Sequence, residues 1–349
     1  ATRRCAVTPP TRERPSYVGR APVADVTLRR VLHRDAIPSV DEPRFGDSYD
    51  GNADDSVVAV TDADPPRAYP VRYLQFHEVV NDALDSGDGG DPIAVTWCPL
   101  CGSAVVYDRS HAGRTLEFGV SGKLADDDLV MYDRETESEW KQSTGECIDG
   151  AFEGESLAVR PAAMLSAREF RESYPDGVVL DPPGGESEAA SDGDEPAPID
   201  YAESPYEAYA AGDGFGLAAH RGAADTREWD GPADLDPKTV VLGVDFDGDA
   251  LGFAFSRVRA AGGVARATVG ERDVVAFATD DGIHAYADPG HEFEWSDAGV
   301  VGDGTTWDPT TGAAADGRRL DRLPARRLYA FTWLDDHGPE AFYRPDSLD

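Results

Sequence analysis

Apolar residues fall in short runs cut by acidic, Gly-rich turns. Val57-Val58-Ala59-Val60 precedes Asp62-Ala63-Asp64 and then Arg67-Ala68-Tyr69-Pro70-Val71. Far downstream, Val240-Val241-Leu242-Gly243-Val244 precedes Asp245-Phe246-Asp247 and then Gly252-Phe253-Ala254-Phe255. Each reads as strand, turn, strand, because β-branched and aromatic runs bounded by turn residues favour extended backbone. The order continues. Ile93-Ala94-Val95-Thr96-Trp97 matches Val274-Val275-Ala276-Phe277-Ala278. The run from Ser103 to Asp108 matches Gly282 to Asp288. Trp140, Thr144 and Gly145 match Trp307, Thr311 and Gly312. The pattern predicts an α+β, predominantly β protein of two tandem related repeats forming a pseudo-symmetric body. Helices are predicted over Leu74–Leu84, where Leu74, Val79 or Val80, and Leu84 share a face, and over Ser166–Tyr174. There Ser166 and Glu169 have capping-box spacing.

Composition breaks divide the chain. Residues 1–56 read as an Arg/Pro-rich arm and irregular lead-in, and 57–180 as the first repeat. Residues 181–237 read as an acidic Pro/Gly-rich linker, and 238–349 as the second repeat. The net charge is −35, from 32 basic and 67 acidic residues, and Lys123, Lys141 and Lys238 are the only lysines. Such a surface suits a halophilic protein, since carboxylate repulsion is screened within about 3 Å at 1 M salt. Nucleic-acid binding is disfavoured, because it needs a basic face. No apolar run reaches the length of about 18 residues needed for a transmembrane helix. Arg3 and Arg4 form a twin Arg, but no apolar stretch follows them, so the N-terminus is not an export signal as it stands. The chain as given reads as cytoplasmic, or as exported or cell-surface if a signal was removed. A protein partner or small-molecule substrate is not specified.

Four cysteines in 349 residues do not make a disulfide scaffold. Cys5, in the arm, reads as a bystander. Cys98-Pro99-Leu100-Cys101-Gly102 is different. Two thiols three residues apart between apolar runs can share a metal, form a disulfide or do thiol chemistry. Where the first block carries this knuckle, the second carries Thr279-Asp280-Asp281-Gly282, an ordinary turn, so the fold does not need the cysteines. A complete site needs further ligands, and His77 is the leading candidate. Its second nitrogen would be fixed by Glu78 or Asp82. Cys147 and Met131 are weaker candidates. Thiolates with imidazole suit zinc or copper. The leading expectation is thus a soft-metal site at Cys98, Cys101 and His77. The first alternative is a thiol oxidoreductase or Cys/His catalyst using Cys98 with His77 as base. The second is a non-catalytic scaffold or surface protein with a structural disulfide.

Other candidates are set aside. The segment from Phe118 to Leu124 resembles a phosphate loop but lacks its spacing, and Leu124 stands where Ser or Thr is required. Asp126-Asp127-Asp128 reads as a salt-adapted turn, with a cation site as the weaker alternative. Asp245-Phe246-Asp247-Gly248-Asp249 begins like a calcium loop, but Ser256 occupies the twelfth position.

Several stretches together resemble the family called domain of unknown function 3179. They are Arg67 to Arg72, His77 to Asp82, Val95 to Arg109, Phe118 to Leu124, Asp128 to Arg134 and Ser138 to Gln142. The resemblance is strong over residues 37–180 and weaker over 238–345. It implies no reaction. It places His77, Cys98 and Cys101 inside the family signature, and Cys147 where members carry a small residue. Members are common in haloarchaea and also occur in bacteria, and they often look exported or lipid-anchored. Their aromatic C-terminal stretch is looser here, as Tyr329-Ala330-Phe331-Thr332-Trp333.

Overall fold

The computed structural model describes residues 27–84, 90–191, 193, 195–224, 226–296 and 299–345. Cys5, the Arg3-Arg4 pair and the first part of the arm lie outside them. The chain is predominantly β, built of short strands with few and short helices. No helix among the described residues is long and apolar enough to cross a membrane.

The strand Ser56–Val60 pairs antiparallel with Arg67–Pro70 on one side and with Ala163–Ser166 on the other. Arg67–Pro70 runs straight into the helix Val71–His77. In the later block, Val240–Phe246 pairs antiparallel with Asp249–Ala254 and with Arg326–Tyr329. There Asp249–Ala254 runs straight into the helix Phe255–Ala260. Both closing strands also lead directly into helices, Ala167–Ser173 and Ala330–His337. Next in each block come three antiparallel strands: Val79–Leu84, Asp91–Cys98 and Ser103–Asp108, then Val264–Val269, Arg272–Ala278 and Ile283–Ala287. The blocks join at a seam where Arg327 pairs with Ala104, making one six-stranded sheet.

Ser166 caps its helix as expected: it accepts from the Glu169 amide while Glu169 reaches back. The helix expected over Leu74–Leu84 is corrected. It ends at His77, and Val79–Leu84 is a strand. Glu78 takes φ +58, which breaks the helix, and the β-branched Val79 and Val80 then continue as extended backbone. Residues 181–237 hold short strands and helices and place Tyr209, Phe215 and Leu217 in the core beside Cys98 and Cys101.

Candidate metal centre

Cys98 ends one strand of a hairpin and pairs in register with Ser103, which begins the next. Pro99, Leu100, Cys101 and Gly102 form the loop between them. Its far side is tied to the other block, where the Tyr329 amide donates to the Cys101 carbonyl at 2.8 Å. Both thiols are buried and unbridged. A second hairpin approaches them. Asp126 and Asp127 both take positive φ, as the short polar Asp side chain tolerates, and this tight turn delivers Asp128 at the head of the strand Asp128–Asp133.

Asp128 is fully buried. Its Oδ2 accepts from the Ser143 amide at 2.8 Å, while its Oδ1 is buried with no hydrogen-bond partner. The Sγ atoms of Cys98 and Cys101 and a carboxylate oxygen of Asp128 lie within 4.8 Å of one another. Burial disfavours charge on all three. It raises both thiols, and it pushes Asp128 up to about 6, where Lys141 pulls down and Asp336 pushes up. Lys141 is itself buried, and burial works against its charge. Asp336, 2.6 Å from its Nζ, and Asp128 outweigh this and keep it protonated.

A cavity of about 120 Å³ opens beside Cys98, lined also by Glu78, Leu100, Tyr206, Leu217 and His220. A larger cavity of about 440 Å³ shares Glu188, Tyr206 and His220 with it. Glu78 lies in the left-handed region at the helix end; its amide donates to Leu74 O and its carbonyl accepts from the Trp97 amide, both at 2.8 Å. This turn sends its side chain toward Cys98. Burial, then Glu188 and Asp128, push its carboxyl up to about 8.

The structure brings Cys98 and Cys101 together and does not bring His77 to them. His77 Nδ1 lies 2.9 Å from Pro38 O and Nε2 lies 2.7 Å from Tyr201 Oη, so both ring nitrogens are engaged elsewhere. Cys147 pairs in register with Trp140 and donates to Asp149 O at 3.3 Å; burial pushes it up to about 11. Met131 is packed in the core opposite Val120 and Trp140. Asp128 and Glu78 are the residues that sequence reasoning missed as partners of the cysteines. The available signal for Asp128 was a carboxylate joined to Leu129-Val130-Met131-Tyr132 with no polar break.

A family model described as "Protein of unknown function (DUF3179)" matches residues 34–344. No curated protein and no solved structure matches the chain.

Proposed function

The chain belongs to the DUF3179 family, and from that premise we propose that it binds a soft divalent cation through Cys98, Cys101 and Asp128. The observation that carries this reading is Asp128 Oδ1, buried without a partner beside two buried thiols. Three acidic groups gathered out of water are costly unless protonated or neutralised by a cation. A soft ion that takes thiolate sulfur and carboxylate oxygen meets that need. The carboxylate favours zinc over copper, because copper(I) selects thiolates and thioethers, and Met131 lies in the core. Asp128 takes the place first assigned to His77. Three protein donors leave one of four tetrahedral positions, and the cavity at Cys98 suits a small ligand there. Thiol catalysis by Cys98 with His77 as base draws less support, since His77 is engaged elsewhere and burial raises the thiols.

In the same reading the blocks 57–180 and 238–349 are copies joined by 181–237. The matching orders Ala163–Ser166, Ser56–Val60, Arg67–Pro70 and Arg326–Tyr329, Val240–Phe246, Asp249–Ala254 support this. The −35 charge with three lysines supports salt adaptation.

Metal analysis tests the site on protein purified in high salt without chelator. The expected result is about one zinc per chain in the wild type, lost in Cys98→Ser/Cys101→Ser. Asp128→Asn removes a ligand and should weaken zinc binding at least as much as the loss of an outer-shell partner, which costs about 10- to 100-fold. His77→Ala should keep it. Metal lost in His77→Ala but kept in Asp128→Asn would restore His77 and overturn this ligand set.

A further inference from the structure

The hairpin of Arg272–Ala278 and Ile283–Ala287 faces the seam between the blocks, and a small cavity of about 20 Å³ lies there. One wall is Val58, Ala163 and Met164 of the first block. His284, Arg322 and Arg327 of the second supply the polar lining, and no carboxylate lines it. Among the described residues neither guanidinium has an ion-pair partner within 4.0 Å. That is unexpected in a chain with 67 acidic and 32 basic residues. Arg322 donates to Tyr286 Oη at 2.8 Å and to Thr310 O, and Arg327 donates to Gly102 O. Arg322 also lies over the Tyr286 ring, and Arg327 over the rings of Trp97 and Tyr329; these rings, carbonyls and the hydroxyl bring no negative charge to balance the two cations.

His284 is 2% exposed. Arg322 Nη1 lies 3.4 Å from His284 Nδ1, and a guanidinium can only donate. Nδ1 is therefore the acceptor and the ring proton sits on Nε2. That N–H is buried and has no partner. Burial, with Arg322 beside it, keeps the ring neutral, so it acts as a donor and not as a third cation. An unspent donor and two arginines without an ion-pair partner thus line one cavity. The volume admits a single small sphere and excludes sulfate or phosphate. A water could accept the His284 proton, but it would leave both positive charges uncompensated.

We infer that this cavity is a binding site for a monovalent, chloride-sized anion, which accepts from His284 Nε2–H and balances the charge of the lining Arg322 and Arg327. The inference is independent of the metal reading, because no residue is shared between the two sites.

The test uses the full chain. Crystals grown with sodium bromide in place of chloride should show an anomalous bromine peak in this cavity, within hydrogen-bond reach of His284 Nε2. At constant ionic strength, the melting temperature should rise about 2 °C for each tenfold increase in chloride above its dissociation constant, at the expense of gluconate, which is too large to enter. His284→Leu should remove this chloride dependence. If that variant fails to fold, the bromide peak in the wild type decides alone. A cavity without a bromine peak would overturn the proposal, and so would a chloride dependence that survives His284→Leu.

Discussion

The hairpin at Cys98 and the hairpin at Thr279 do different things with similar strands. In the second, the Thr279 amide donates to Gly282 O at 2.8 Å, and the chain turns through Asp280 and Asp281 alone. Thr279 Oγ1 accepts from the Gly282 amide at 3.0 Å, so the turn is closed by its own side chain. In the first, Pro99, Leu100, Cys101 and Gly102 fill the same gap, and the loop is held by Tyr329 from the other block. The short turn shows that the strands close without cysteines. The longer loop buries two thiols beside Asp128. The surroundings differ in kind: Cys98 and Cys101 lie beside the buried Asp128, in a cavity lined by both acidic and basic side chains, whereas the cavity at His284 is lined by Arg322 and Arg327 and by no carboxylate.

The contrast can be broken first at Lys141. Its pair with Asp336 is buried on both sides, and it also compensates Asp128. Asp308 follows Trp307 where Lys141 follows Trp140, so the matching position of the second block carries no cation. Lys141→Met strands buried carboxylates and should cost about 3–5 kcal/mol in denaturant unfolding. A loss below about 1 kcal/mol would mean that the acidic side needs no internal cation. The next largest effect is at Glu78. Its carboxyl is held at about 8 against an ordinary 4.5, so the folded chain binds more protons than the unfolded chain in between. Stability from this group is full below about pH 4.5 and is lost as pH rises through about 8. Glu78→Gln should remove that slope in metal-free protein and be the more stable by on the order of 3 kcal/mol above pH 8. Parallel pH profiles for the two proteins would refute the buried, protonated Glu78.

Local signals were legible and long-range ones were not. The capping box at Ser166 and Glu169 and the loop between Cys98 and Ser103 depend on neighbours within a few residues, and both appear as read. The helix over Leu74–Leu84 failed at one residue, because apolar spacing cannot register the positive φ of Glu78. His77 drew attention as a ligand, but its partners Pro38 and Tyr201 are 39 and 124 residues away. Asp128 was visible only as part of an acidic turn. Its value comes from the approach of a second hairpin, which the linear pattern does not record.

The smallest effect asks whether the two hairpins share a frame at all. Gly145 and Gly312 hold φ +72 and +73, and each amide donates to a carbonyl four residues back, on Lys141 and Asp308, at 2.8 Å. A Cβ on Gly145 would meet Tyr107 Cε1 at 2.5 Å, and one on Gly312 would meet Tyr286 Cε1 at 2.6 Å. Each tyrosine donates its hydroxyl just before its glycine, Tyr107 to Gln142 O and Tyr286 to Thr310 O. Alanine adds a left-handed penalty and a clash with a buried ring at either place, so each substitution should cost about 2 kcal/mol. Equal losses in thermal unfolding of Gly145→Ala and Gly312→Ala are expected, with zinc content unchanged in Gly312→Ala. Losses differing by more than about 1 kcal/mol would separate the two frames, since matched strain and matched contact should yield matched cost. The loop at Cys98 would then have to be explained by its whole block and not as four residues added to a common hairpin.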